Sequence, residues 1–371
     1  MPKSPKAPVL TRLELNRATL ARQMLLERAD ASPLKAVERL VGLQAQFAKA
    51  PFIALWSRLA GFRRADLARL FDDRKLVRAT LMRATLHFMS AADYARFRMT
   101  LQPLLAAAVA GLGDRAKGID ADRVIEASVK LFQRGPSDFE ALREALANKK
   151  EALEGDVRAM AYLVRTSVPL VQVPDGGAWS FAAGGTFALA ESWLGRPVDP
   201  EARLADFALR YLKAFGPASV ADAQTWSGLK SLKGTFDELR PKLTVFQDEG
   251  GRELFDIPDA PRPPADTPVP ARFLPDFDGL LLGHADRTRV ISEEHRKRIG
   301  TKNLLVVATF LVDGEVAGTW KAEKRRGTAQ LAIEPFGKLK KAVRTELEAE
   351  GTRLLKFIEE DAKAFEVVFA A

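Results

Sequence analysis

Apolar positions across residues 13–27 recur at helical spacing and predict an amphipathic helix. Ser32-Pro33 then offers a side-chain cap followed by a residue pre-set for a first helical turn, and Leu34, Val37, Leu40 and Val41 continue with the same period. Residues 52–59 and 65–71 predict two further short helices. From Leu76 the period changes: residues 76–81 and 83–89 read as strands with a turn near Met82. The order is helices, then a hairpin.

That order returns twice. Helices are predicted over 122–132, 138–147 and 156–166, with a hairpin made of 168–173, the turn Pro174-Asp175-Gly176-Gly177, and 179–182. A third round has helices over 201–215, 219–226 and 235–239, then strands 243–247 and 253–257 around Asp248-Glu249-Gly250-Gly251. Arg134-Gly135-Pro136-Ser137 and Phe215-Gly216-Pro217-Ala218-Ser219 fall at matching places, each between the first and second helices of its round. Each unit has about the size of a winged helix, a helix-turn-helix with a β-hairpin wing. A proline-rich linker, 258–270, separates these from strands over 304–312, 315–321 and 328–333 and a charged amphipathic helix over 338–360. The expected fold is α+β: three tandem winged-helix units at 1–115, 116–198 and 199–264, and a small C-terminal α+β domain at 265–371.

Composition narrows the class. A chain of 371 residues exceeds what one core usually organises, and 47% hydrophobic with 28% charged residues is a soluble globular balance. No stretch approaches the roughly 20 apolar residues of a membrane span. Residues 1–8 lack the apolar core of a secretory signal and are expected to form a short flexible arm, with the cytoplasm, in association with the nucleoid, as the expected location. The absence of cysteine excludes disulfides and thiolate chemistry, and His87, His284 and His295 are too few to make a zinc site or a Ser-His-Asp centre the expectation. No metal and no cofactor are called for. The net charge of +9 is uneven: residues 1–115 carry twenty Lys and Arg against nine Asp and Glu, while the remainder is slightly acidic. A basic first third suits a polyanion, because each phosphate neutralised by Lys or Arg releases counterions, although charge alone serves solubility equally well.

The segment Val41-Gly42-Leu43-Gln44-Ala45-Gln46-Phe47-Ala48-Lys49-Ala50-Pro51 departs most from what folding alone asks for. Were the helix to run through it, Gln44 and Gln46 would lie about 200° apart and could not share a site. If the helix ends near Gly42, an extended chain puts residues i and i+2 on one side. Joint function therefore requires a helix end here. The plain alternative is two glutamines satisfying backbone groups at a helix terminus.

Leu43-Gln44-Ala45-Gln46 after a helix, Arg83-Ala84-Thr85-Leu86-His87 on a strand, Phe273-Leu274-Pro275-Asp276-Phe277-Asp278 with Leu282-Gly283-His284-Ala285-Asp286-Arg287, and Val312-Asp313-Gly314 with Gly318-Thr319-Trp320-Lys321 together resemble one family, the AlkZ-like winged-helix DNA glycosylases. The likeness covers nearly the whole chain in the right order. It implies tandem winged helices forming a concave surface for double-stranded DNA, and a glutamine-x-glutamine active site at Gln44 and Gln46. The YcaQ-like sister branch has aspartate where this chain has Gln46.

Glycosidic cleavage needs a base that leaves with its electron pair and a water aimed at the anomeric carbon as positive charge develops there. Carboxylates usually supply the proton acceptor and the negative charge. An amide can only orient water and stabilise by its dipole. The pair therefore suits cationic N7- or N3-alkylpurines, which already leave easily, and the family implies bulky N7-guanine adducts and interstrand crosslinks. No lysine is required as a Schiff-base nucleophile, so the expected mechanism is monofunctional hydrolysis.

Lys49, Arg78, Arg83 and His87 are expected to contact DNA from the first unit, and His284 and Arg287 from the segment that carries the family likeness. Lys321 and Arg326 are expected to do so from the C-terminal hairpin, where Lys324-Arg325-Arg326-Gly327 forms the predicted tip. Asp276 and Asp278, flanking Pro275 and Gly279, read as turn residues rather than a carboxylate pair. Two other readings remain: a non-catalytic winged-helix regulator or architectural protein, and a protein that sequesters the alkylating compound in a pocket lined by Phe47, Phe52 and Trp56. A monomer is the default.

Overall fold

The computed structural model describes residues 7–149, 153–181, 184–300 and 306–370. The chain enters through a short strand, β1 (Val9–Leu10), and α1 (Arg12–Arg22), which begins at a capping box between Thr11 and Glu14. Ser32 caps α2 (Pro33–Arg39), as its place before Pro33 predicts. There follow β2 (Leu43–Gln44), α3 (Ala50–Arg58), α4 (Arg64–Asp72), β3 (Leu76–Thr80), a 3-10 turn at Met82–Ala84 and β4 (Leu86–Ser90). Two helices that the apolar pattern does not announce, α5 (Ala91–Phe97) and α6 (Gln102–Ala110), lead to the second round.

The second round consists of α7 (Ala121–Phe132), α8 (Phe139–Ala147), α9 (Val157–Ser167), β5 (Leu170–Gln172) and β6 (Phe187–Leu189), closed by α10 (Ala190–Leu194). The third consists of α11 (Leu204–Phe215), α12 (Val220–Ser227), α13 (Lys233–Leu239), β7 (Thr244–Asp248) and β8 (Glu253–Asp256). In both, the loop after the first helix touches the last strand through one antiparallel bridge, Ser137 to Phe187 and Ala218 to Phe255. The first round has β2 at the same place, paired with β4. The repeat is thus a helix, a bridge, two helices and two strands.

Beyond the linker come β9 (Arg272–Leu274), α14 (Gly279–Leu282), α15 (Glu293–Ile299), β10 (Thr309–Val312), β11 (Glu315–Arg325), β12 (Thr328–Pro335), α16 (Lys341–Ile358) and β13 (Ala364–Phe369). Five strands form one sheet in the order β13-β12-β11-β10-β9, with α16 packed on it. A second five-stranded sheet, β2-β4-β3-β5-β6, joins the hairpins of the first two rounds, with Arg78 of β3 opposite Gln172 of β5. The third sheet is β1-β7-β8.

Several expectations need correction. The strand partner of β5 is β6, not residues 179–182, of which Ala182 lies outside the described residues. A tight turn does form at Asp175 to Ser180, but the aromatic side chains that follow are drawn elsewhere. Phe181 packs on Phe71 and Phe88 at 4.8 and 5.5 Å between ring centres, and Trp179 on Phe52 at 5.3 Å. Burying two aromatic rings in the neighbouring core outweighs closing a short hairpin. Of the expected N-terminal arm, residues 1–6 lie outside the described residues, and Val9–Leu10 is a strand parallel to β7. The strand expected from Leu304 begins at Thr309, with 304 and 305 outside the described residues. The long charged helix ends at Ile358, and β13 follows it.

The cores do not respect the order of the chain. Phe52, Leu55 and Phe71 of the first round share one apolar cluster with Phe273, Phe310, Trp320 and Leu331 of the C-terminal sheet. The opposite side of the β3–β4 hairpin packs with α11 and α12. At the first of these seams Arg58, near the end of α3, forms a two-pronged ion pair with Asp278 at 2.7 and 2.9 Å, both side chains almost wholly buried. Ser57 donates to the Phe273 carbonyl beside it. Because an uncompensated buried charge is expensive, Arg58→Met should lower the unfolding free energy by about 3–5 kcal/mol. Arg58→Met combined with Asp278→Asn, which keeps the cap oxygen of α14, should recover most of that loss in urea unfolding. A loss below about 1 kcal/mol for the single variant would mean that the pair does not hold the seam.

Candidate active site

Helix α2 stops just before the glutamine pair. The Val41 and Gly42 N–H groups donate back to the carbonyls of Glu38 and Val37 at 3.2 and 3.0 Å, the double closure of a Schellman end. It requires left-handed backbone, at φ +56° for Val41 and +94° for Gly42. A β-carbon at 42 would stand 2.9 Å from the Phe88 carbonyl, so this position admits only glycine. The chain leaves extended: Leu43 and Gln44 pair with Phe88 and His87, and the Ala45 N–H donates to Leu86 O at 2.7 Å. Leu43 and Ala45 are buried, Gln44 is half-buried and Gln46 exposed. Alternation therefore puts both glutamines on one side, the arrangement that joint action requires.

Two guanidinium groups hold this strand. Arg78, buried behind it, donates through Nε and one terminal nitrogen to the Ala45 carbonyl at 3.1 and 2.7 Å, and weakly to that of Gln46 at 3.3 Å. Its other terminal nitrogen donates to Gln172 Oε1 at 2.6 Å. Burial, then the neighbouring Arg165, lowers its pKa to about 10, so it stays charged. Arg83 sits in the hairpin turn with left-handed backbone at φ +53° and donates to Gln44 Oε1 at 2.7 Å and to the Trp226 carbonyl. Burial, then Arg287, lowers its pKa to about 10 as well. An arginine has no acceptor, so the oxygen of Gln44 faces Arg83 and its amide N–H groups remain for the site.

His87 completes the group. Thr85 O, 2.9 Å from Nδ1, has no proton to give, so Nδ1 carries it and bare Nε2 faces Arg83 at 3.4 Å. Burial, then Arg83, depresses the His87 pKa to about 3. The ring is a neutral wedge.

The sequence-predicted residues thus fall into groups. Gln44, Arg83 and His87 form one hydrogen-bonded cluster, with Arg287 near enough to act on Arg83. Gln46 lies two residues beyond Gln44, just past the end of β2, and Lys49 is exposed at the start of α3. Arg78 lies behind the strand with its donors engaged. His284 is buried against Phe215, donating to its carbonyl at 2.9 Å, beside Asp222. Burial, then Arg289, lowers its pKa to about 3. Lys321 and Arg326 are on β11 and its turn, outside this cluster, Arg326 at φ +50°. Asp278 caps α14 and pairs with Arg58. Asp276, its fellow turn residue, lies near Lys49, and the Phe277 and Phe47 rings meet at 6.0 Å. A concavity of about 540 Å³ lined by Lys35, Arg39, Arg210 and Pro261 includes neither glutamine.

On this α+β scaffold a helix stopped at Gly42 puts Gln44 and Gln46 in extended chain, with Arg78 behind and Arg83 beside them. The chain belongs to the AlkZ-like DNA glycosylases, whose family profile matches residues 37–357. It is accordingly a DNA glycosylase. A curated relative, the interstrand DNA cross-link repair glycosylase of Streptomyces sahachiroi, is 25% identical over 335 residues, which cover 85% of this chain and 88% of the relative. The solved structure of the Streptomyces sahachiroi DNA glycosylase AlkZ superposes with a TM-score of 0.80 at 20% identity, covering 98% of this chain and 100% of that one.

The depressed pKa of His87 predicts a stability effect. An unfolded histidine takes up a proton near 6.5 and the folded one near 3, so between these values the unfolded state binds more protons. The stabilising contribution is complete above about pH 6.5 and is lost on acidification at about 1.4 kcal/mol per pH unit. Between about pH 7.5 and 5 the wild type should therefore lose roughly 2 kcal/mol more unfolding free energy than His87→Gln. Equal losses in urea unfolding would count against a buried neutral ring.

Proposed function

We propose that this enzyme is a monofunctional DNA glycosylase that hydrolyses the N-glycosidic bond of cationic alkylpurines, N7-alkylguanine foremost, with Gln44 and Gln46 orienting the attacking water. The observation that carries this reading is that both glutamines emerge on one side of a strand fixed from behind by Arg78, with the Gln44 oxygen held by Arg83. Bond cleavage leaves the electron pair on the base, which departs neutral because alkylation had made it cationic. Water adds to the anomeric carbon. The Gln44 N–H groups hold the water oxygen, and the Gln46 amide oxygen, which no hydrogen bond among the described residues claims, is the dipole end left to face the oxocarbenium-like transition state.

The partner is double-stranded DNA carrying such lesions. We assign the three repeated units, at 1–115, 116–198 and 199–264, as winged helices that form a concave DNA-binding surface, with 265–371 as the C-terminal domain and a monomer as the working state in the cytoplasm, at the nucleoid. Arg83, Arg287 and Lys49 are the groups for phosphate beside the lesion, supported by their positive charge with no acidic ion-pair partner among the described residues. Lys321 and Arg326 serve the duplex farther out. Arg78 and His87, buried in the hairpin where Arg83 is only half-buried, position the motif, and His284 braces the segment before Arg287. Bulky N7-guanine adducts and interstrand crosslinks extend the substrate range, in keeping with the crosslink-repair name of the Streptomyces relative.

The test is a panel of oligonucleotides bearing N7-methylguanine, a bulky N7-guanine adduct, an N7-linked crosslink or uracil, scored for abasic-site formation. The cationic lesions should be released and uracil retained. Gln44→Ala and Gln46→Ala should each slow release by about 100-fold or more while DNA affinity changes little. Cleavage by both variants at the wild-type rate would refute the mechanism, and binding without any product from the wild type would refute the substrate class.

A further inference from the structure

The two glutamines leave one chemical need unmet. An amide cannot take the proton that the attacking water must lose, and it carries no negative charge to balance the cation developing at the sugar. Around the motif stand Arg78, Arg83, Arg287 and Lys49, all positive. A carboxylate in reach would resolve both deficits.

Asp276 sits in the segment that packs on the residue after the motif and interacts with Lys49, three residues past Gln46. It lies between β9 and α14, in a segment fixed at both ends: Pro275 is buried on one side, and on the other Asp278 is locked to Arg58 of α3, the helix that the motif segment leads into. Phe277 adopts φ +56°, a left-handed conformation uncommon for an aromatic residue, and the Phe277 N–H donates to the Val306 carbonyl at 3.0 Å. Its ring meets Phe47, the residue directly after Gln46, at 6.0 Å. Asp276 is half-buried and makes no ion pair among the described residues, unlike Asp278 two positions on. Lys49 is the ionised side chain that acts on it, and from the side of β10 the Ala308 amide does so. A half-buried carboxylate without a salt bridge, next to a residue held in left-handed backbone and to the motif, marks a functional site more than a folding need.

We propose that Asp276 is the general base of this site, accepting a proton from the water that Gln44 and Gln46 orient. The inference rests on the glutamine reading above. As the water oxygen bonds to C1′, the C1′–N bond breaks and its electron pair passes to the cationic purine, which leaves neutral. The water proton goes to the Asp276 carboxylate and from there to solvent. Burial raises the Asp276 pKa, and its own amide, Lys49 and the Ala308 amide oppose that rise, so the carboxylate is a stronger base than an exposed one.

The experiment is single-turnover release of N7-methylguanine from duplex DNA by the full chain, against pH, for the wild type, Asp276→Asn, Asp276→Glu and Gln44→Ala. D276N should be slower by about 100-fold or more with DNA affinity and melting temperature near wild type, and D276E should regain part of the rate. The wild-type rate should fall on acidification through a pKa above the ordinary aspartate value of about 3.9, and D276N should lack that limb. A wild-type rate for D276N with Gln44→Ala inactive would overturn the role of Asp276 and leave the glutamine reading intact. Full activity of Gln44→Ala would instead overturn the reading beneath it. Should D276N melt early, the wild-type pH profile decides: no acid limb, no general base at 276.

Discussion

Everything in this site depends on a helix being made to stop. The apolar period of α2 would carry the chain through the motif and put Gln44 and Gln46 on opposite faces. The left-handed pair Val41 and Gly42 breaks it. Glycine accepts that backbone without cost, but valine, branched at Cβ, does not, and holding it there takes roughly 1–3 kcal/mol from the fold. The cost is met locally: Val41 is completely buried among Val77, Met82 and Met89.

Once the strand is formed, the site is assembled from long-range neighbours. The Ala45 carbonyl is gripped by Arg78 of β3, which is steadied by Gln172 of the second unit, and Gln44 by Arg83, which reaches Trp226 of the third. Past the linker, Arg287 comes near Arg83, and Phe277 meets Phe47, the residue after Gln46. All four parts of the chain converge on four residues of sequence. The local field is strongly positive, held by guanidinium groups whose pKa stays near 10 despite burial. His87, kept neutral, adds no further charge to that field as pH falls through the physiological range.

What is local in origin can be read from the sequence. Ser32-Pro33 caps a helix where the pattern places one, Asp248 to Gly251 turns a hairpin, and the loops 134–137 and 215–219 occupy equivalent places because each carries its bridge to the last strand. The helix end near Gly42, on which joint action of the glutamine pair is conditional, is legible for the same reason. What depends on distant packing cannot be read this way. β6 starts at Phe187 because Trp179 and Phe181 are captured by the neighbouring core. Arg78 and His87 alternate on their hairpin as exposed residues would, yet β5 and β2 cover that hairpin on both edges and bury them. Asp276 and Asp278 look alike in sequence, and only the arrival of Arg58 separates a paired carboxylate from an unpaired one.

The hold of Arg78 on the motif runs through main-chain oxygens, those of Ala45 and Gln46, and never through the Gln46 side chain. Position 46 is thereby uncoupled from the scaffold that presents it. An exchange of its side chain leaves the register, the helix end and the Arg78 contacts with the main chain as they are.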